Sequence, residues 1–106
     1  MKTESEILLE ARELIAKPEH WTQGHAAKDE TGVDVIPYDK NACSFCLYGA
    51  VVRAAYANNT SADSILQAVH SRLQWQSIGS FNDTHTHAEV LTLMEQAAED
   101  LEEAGR

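Results

Sequence analysis

The sequence lacks any long apolar run, low-complexity segment or internal repeat. No apolar stretch approaches the roughly 18 residues of a membrane-spanning helix, so we expect no membrane partner. The first ten residues, MKTESEILLE, carry acidic side chains where a signal peptide would have its apolar core. We therefore expect a cytoplasmic protein that forms one domain over residues 1–106. Its ordered core should cover about 4–101, and an acidic tail at 102–106 should fray.

Basic residues are also scarce, with 8 lysines and arginines against 17 aspartates and glutamates and a net charge of −9. A surface with this charge repels nucleic acid, so direct nucleic-acid binding is not expected. The charge serves solubility, and it can attract a protein partner with a basic surface, even by mimicking nucleic acid. Much of the charge falls on six residues of the last predicted helix and the tail that follows it: Glu89, Glu95, Glu99, Asp100, Glu102 and Glu103.

Apolar periodicity predicts four helices. Two of them begin with capping boxes, Thr3 with Glu6 and Thr86 with Glu89, in which each side chain bonds the other residue's backbone N–H. The second helix, NACSFCLYGAVVRAAYAN, is small or apolar on almost every side, which is typical of a buried helix. Its Gly49 costs about 1 kcal/mol relative to alanine and indicates that another backbone approaches closely. The four predicted helices cover 5–16, 41–58, 61–77 and 86–101.

The segment between the first two helices reads as a short β-hairpin. Residues 26–29 should pair with 33–36 across a Thr31-Gly32 turn, and Trp21 and Ile36 should anchor the pair on the helices. Residues 78–85 are predicted to form a loop. The predicted fold is therefore mainly α, a compact four-helix domain around a buried central helix, with a small hairpin between helices 1 and 2.

Three sequence blocks contain most of the candidate functional residues. They are W-x-x-G-x-x-A-x-D-x-x-G at 21–32, A-x-x-F-C-x-x-G-A at 42–50 and N-D-x-x-T-H-x-E-V at 82–90. Together they resemble a family of small, uncharacterised bacterial and phage proteins with a domain of unknown function, over about residues 5–100. Phe45 stands where that family often has tryptophan, and Cys43 lies outside its pattern. The resemblance implies no activity.

Cys46 and His87 are the candidate catalytic pair, because an imidazole can activate a thiol as a nucleophile. Asp29 or Asp83 would orient the imidazole ring, and Asn82 would donate a hydrogen bond to an oxyanion. The alternative is that Cys46 fills core volume, as buried cysteines commonly do.

A zinc site is a further alternative, although we expect neither a metal nor another cofactor. Cys43 and Cys46 share a helical face in this prediction, which also makes a disulfide between them unfavourable. His85 and His87 would complete a Cys₂His₂ set, with His20 and His25 as substitute ligands.

The two irregular segments that flank the central helix supply a candidate binding pocket. The same residues can instead hold loops and helix ends in place. Its predicted members are Trp21, Asp29, Asn82, Asp83, Thr86 and His87.

These observations favour a small acidic binding or interaction module over an enzyme. Its predicted site lies between the Trp21–Asp29 segment and the Asn82–His87 loop. A thiol-dependent hydrolase that uses Cys46 and His87 is the alternative, and a zinc-binding protein is the second alternative. We expect a monomer or a homodimer, and Ala97-Ala98 would allow two helices to pack closely in a dimer.

Overall fold

A computed structural model describes all 106 residues. It contains five α-helices, one 3₁₀ helix at Pro18–His20 and two antiparallel β-strands that lie between α1 and α2. The predicted mainly helical fold with a small hairpin in this position is confirmed, but five helices replace the predicted four. The helices are α1 (Glu4–Leu14), α2 (Leu47–Ala57), α3 (Asp63–His70), α4 (Ile78–Thr84) and α5 (His87–Glu103), and the strands are β1 (Ala27–Asp29) and β2 (Ala42–Phe45).

The core lies where α1 packs along α5 and α2. Both predicted capping boxes are present and fix the first turns of α1 and α5. Thr3 Oγ1 accepts the Glu6 N–H at 3.2 Å, and Glu6 Oε1 accepts the Thr3 N–H at 2.8 Å. The same pair of bonds joins Thr86 and Glu89. The largest fully buried apolar side chains are those of Leu8, Ile15, Leu47, Ile65, Met94 and Leu101.

The second helix begins at Leu47, so the prediction that it begins at Asn41 is wrong. Residues 42–45 form β2 instead, because an apolar run can be a buried strand as readily as a buried helix and periodicity does not separate the two. The helix is also less enclosed than predicted. Gly49 and Val51 are buried, but Tyr48 and Tyr56 are exposed, so α2 has one face on solvent.

The strand β1 occurs where predicted, but its main partner is β2 and not residues 33–36. Of the predicted pairing between 26–29 and 33–36, the structure contains one isolated bridge, between Lys28 and Asp34 on the other edge of β1. Ile36 is 54% exposed, so the prediction that it anchors the hairpin is wrong, whereas Trp21 packs against the core as predicted. Phe45, a buried residue of β2, provides the anchor that Ile36 does not.

The predicted loop at 78–85 is largely α4, and the third helix ends at His70 instead of continuing to Ser77. Ser77 caps α4 by accepting the Ser80 N–H on its Oγ at 3.1 Å. The sequence of α4, IGSFNDT, is short and contains residues with low helix propensity, so no periodic signal marks it.

The last helix continues to Glu103 and buries both alanines that were predicted to serve a dimer contact, Ala97 and Ala98. Beyond it, the Ser5 N–H donates to the Arg106 carbonyl at 3.1 Å. The fraying of residues 102–106 and the single-domain assignment stay predictions. None of the helices is both long enough and apolar enough to cross a membrane.

Candidate functional site

The three sequence blocks meet at the side chain of Asn82, which lies in α4 and is completely buried. Its Oδ1 accepts hydrogen bonds from Trp21 Nε1 at 2.8 Å and from the backbone N–H of Leu47 at 3.0 Å. Its Nδ2 donates to the Thr22 carbonyl at 3.0 Å and to Asp83 Oδ1 at 3.1 Å. All four hydrogen bonds that the amide can make are therefore formed inside the protein. We call these five residues the Asn82 junction.

Asp83 extends the junction to the 21–24 segment. Its Oδ1 also accepts the Gly24 N–H at 2.9 Å. Gly24 has a φ of +80°, a left-handed conformation that glycine adopts without a steric penalty. Gln23, which no sequence pattern marks, donates from Nε2 to the Asn82 carbonyl at 3.0 Å. Side-chain and backbone bonds thus hold the first block against α4.

Gly49 holds the second block against the first, as predicted from its position inside an apolar helix. A Cβ atom at this residue would lie 1.9 Å from the Ala26 carbonyl oxygen. The same oxygen accepts the Cys46 N–H at 3.1 Å. The prediction that another backbone approaches Gly49 closely is therefore confirmed.

Cys46 is the N-cap of α2, and the residue is only 7% exposed in the folded chain. Its Sγ accepts the Gly49 N–H at 3.3 Å. Burial raises the pKa of the thiol and the Asp83 carboxylate adds to the effect, while the N–H groups of Gly49 and Tyr48 act in the opposite direction. The net shift is upward, so the neutral thiol predominates at neutral pH.

His87 is the first residue of α5 and contacts the junction through Trp21. The two ring centroids are 5.2 Å apart. His87 Nε2 donates to the Ile15 carbonyl at 2.5 Å. No hydrogen bond joins His87 to Cys46, Asp29 or Asp83, so the structure does not link the predicted nucleophile, base and orienting carboxylate. Asn82 has no free N–H left for an oxyanion.

Asp29 and Thr86 have local roles. Asp29 Oδ1 accepts the Thr31 N–H, the Thr31 hydroxyl and the Val33 N–H at 2.9, 2.6 and 3.0 Å. These bonds, with the hydroxyl of Thr31 contributing most, lower the pKa of Asp29. Thr86 caps α5. Hydrogen bonds therefore join three of the predicted pocket residues, Trp21, Asn82 and Asp83. The ring of His87 lies beside that of Trp21. Asp29 and Thr86 form no hydrogen bond with any of these four residues.

The predicted zinc ligands do not form a cluster, since no three His, Cys, Asp or Glu side chains lie close enough to share a metal ion. Cys43 lies in β2 and Cys46 caps α2, so the prediction that both lie within one helix is wrong. His20 Nδ1 donates to the Cys43 carbonyl at 2.8 Å. The ring of His85 stacks on Phe81 with centroids 3.8 Å apart.

Two surface grooves that sequence reasoning missed lie along α5. The acidic groove, between α1 and α5, has a volume of about 330 Å³. It is lined by Leu9, Arg12, Glu95, Ala98, Glu99 and Glu102. The Leu73 groove, between α5 and the chain around α4, has a volume of about 340 Å³. It is lined by Arg72, Leu73, Phe81, Ala88, Glu89, Thr92, Leu93 and Gln96.

A third cavity, of about 500 Å³, lies beside the Asp29 turn and is lined mostly by polar residues. Of the six residues predicted to form the binding pocket, only Asp29 contributes to it. Its other lining residues are Glu30, Thr31, Lys40, Asn41, Ala42 and Cys43.

Comparison with known proteins gives one family and no individual relative. No match was found among curated proteins or among solved structures. A family model described as "Family of unknown function (DUF6197)" matches residues 1–100, which include all three sequence blocks. The predicted membership of an uncharacterised family is confirmed: the chain belongs to the DUF6197 family.

Proposed function

We propose that this chain is a small acidic interaction module whose acidic groove binds an amphipathic, basic helix of a partner protein. The proposal rests on carboxylates at the end of α5 that form no ion pair within the chain, two of which line a groove with the exposed Leu9. Glu95 pairs with Arg12 at 3.4 Å, and Asp100 pairs with Arg72 at 2.6 Å. The remaining carboxylates at the end of α5, those of Glu99, Glu102 and Glu103, form no ion pair with any residue of the chain.

Apolar surface lies beside these carboxylates. Leu9 of α1 is 41% exposed and supplies this surface, whereas Ala98, the other apolar residue of the lining, is buried. An amphipathic helix binds a groove through its apolar face, and lysines or arginines at the edge of that face would meet the carboxylates. Charge complementarity of this kind speeds association and selects among partners.

The Asn82 junction supports this proposal as the scaffold that fixes the helices. Its polar atoms are already bonded to each other, so a ligand would have to break internal hydrogen bonds to use them. The binding role predicted for Trp21, Asp29, Asn82, Asp83 and Thr86 stays a prediction.

The proposal is tested with a fluorescent, helical lysine-leucine peptide as the probe and anisotropy as the readout. We expect the double variant Glu99→Lys/Glu102→Lys to bind the peptide at least about tenfold more weakly than the wild type, which corresponds to about 1.4 kcal/mol. Lysine near a helix C-terminus interacts favourably with the helix dipole, so the variant should stay folded. Added salt should weaken wild-type binding, because exposed charges are screened.

Glu19→Lys/Glu30→Lys is the matched control. Both residues are exposed glutamates without an ion pair, they lie outside the acidic groove, and the change in net charge is the same. The control should keep most of the affinity. Equal losses in the two variants would mean that the peptide responds only to net charge, and the groove would then be discarded as the binding site.

A thiol-dependent enzyme is the second candidate, because Cys46 lies at the N-terminus of a helix, where thiols are often activated. The burial of Cys46 disfavours this second candidate, because it raises the pKa of the thiol. We expect iodoacetamide to label the half-buried Cys43 in the native protein and to label Cys46 only after denaturant is added. Mass spectrometry of the labelled peptides between pH 5 and 9 gives the rate for each thiol. If Cys46 is labelled rapidly in the native protein and more slowly in His87→Ala, the result would favour the enzyme over the interaction module.

A further inference from the structure

Trp75 is exposed to a degree that is unusual for its side chain. It lies between α3 and α4 and is 86% exposed, more than any other large hydrophobic residue except the N-terminal Met1. A tryptophan can bury roughly 150–250 Å² of surface. Tryptophan is also enriched in the centres of protein interfaces. Leaving the ring in water forgoes this stabilisation in the isolated chain.

The Leu73 groove lies next to Trp75 in the chain, and Leu73, Phe81 and Leu93 provide much of its apolar lining. Its volume of about 340 Å³ is at the lower end of the range of roughly 300–1,000 Å³ for small-ligand sites. That is room for one indole ring. An exposed aromatic side chain therefore lies two residues along the chain from Leu73, which lines the groove.

The segment around Trp75 carries no negative charge, which favours contact with a second copy of this acidic chain. From Ser64 to Phe81 there is no acidic residue, whereas the chain as a whole carries a net charge of −9. Two copies repel each other least when they approach through such a surface. Of the two charged residues that line the groove, Arg72 is paired with Asp100 and Glu89 is held in its capping box.

We propose that the protein forms a two-fold symmetric dimer in which Trp75 of each copy inserts into the Leu73 groove of the other. A projecting residue and its receptor on one face make that face self-complementary, and a two-fold axis then closes the assembly. The contact lies outside the acidic groove, so the dimer would present two acidic grooves. This inference does not depend on the proposed function.

Sedimentation velocity over a concentration series, from roughly micromolar to millimolar, tests the dimer. The wild type should show a reversible monomer–dimer equilibrium, and Trp75→Ala should stay monomeric. Tyr56→Ala is the matched control, because Tyr56 is 63% exposed and lies on α2, outside the Leu73 groove. A wild type that is monomeric throughout, or a Trp75→Ala variant that still dimerises, would overturn the proposal.

A mixing experiment tests the reciprocal insertion itself. Ala88 is exposed at the edge of the groove, and Ala88→Arg places a long side chain across it. The substitution lowers the net negative charge, so a loss of association cannot be assigned to added repulsion. Each variant alone should be monomeric. A mixture of Trp75→Ala with Ala88→Arg should partly regain dimer, because one intact tryptophan then meets one intact groove.

The mixing experiment also separates the dimer from closure within one chain. If Trp75 instead covers its own groove, its environment will not depend on concentration and the mixture will regain nothing. That outcome would overturn the dimer. Circular dichroism of each variant confirms that both are folded before mixing.

Discussion

Gly49→Ala is expected to destabilise the fold by roughly 3–5 kcal/mol or to prevent folding altogether. The added Cβ would lie 1.9 Å from the Ala26 carbonyl oxygen. The backbone fixes the position of both atoms, so no side-chain rotation can relieve the clash. Relief requires α2 to move from the β1 segment, and that movement would also break the bond from the Cys46 N–H to Ala26. Chemical denaturation followed by circular dichroism measures the free energy of unfolding.

Gly79→Ala is the control for this experiment. Gly79 also lies in a helix, but a Cβ there meets no atom within 4 Å. Alanine is favoured over glycine in helices by roughly 0.5–1 kcal/mol, so this variant should be as stable as the wild type or slightly more stable. If both variants lost similar stability, the close approach at Ala26 would not be the cause, and the packing of α2 on β1 would need another explanation.

Asn82→Ala is expected to cost roughly 3–5 kcal/mol. The change removes four hydrogen bonds and leaves the half-buried Trp21 Nε1 and the buried Leu47 N–H without an acceptor. Each unsatisfied buried group costs about 1–3 kcal/mol. Thermal or urea unfolding gives the loss directly. Asn41→Ala, at an exposed asparagine, is the control and should change stability by no more than about 0.5 kcal/mol.

Asn82→Asp separates the hydrogen bonds from simple loss of volume. The shape is kept and Oδ1 still accepts, but the second carboxyl oxygen would face the Thr22 carbonyl and Asp83 Oδ1, which now receive hydrogen bonds. Burial and Asp83 should raise the pKa of the introduced carboxyl above its unfolded value of about 3.9. The deficit relative to wild type should therefore grow as pH rises from the unfolded to the folded pKa. A deficit that does not change with pH would contradict this account.

Features that depend on near neighbours in the chain could be predicted from the sequence alone. The capping boxes of α1 and α5 need only residues three positions apart. The turn after Asp29 likewise uses only near neighbours, namely Thr31, Gly32 and Val33. Gly49 was also informative, because a glycine inside an apolar helix has few explanations other than close packing. The blocks also pointed to the family, which the family model confirms.

Contacts between residues far apart in the chain could not be predicted in this way. Residues 42–45 are a strand because β1 offers hydrogen bonds to them, and an apolar run alone does not distinguish this from a helix. The bond between Trp21 and Asn82 joins residues 61 positions apart, and no local pattern predicts it. A buried amide needs partners wherever the fold supplies them. Asn82, which was predicted to lie in a loop, lies in α4 and is the centre on which the first block and α2 assemble.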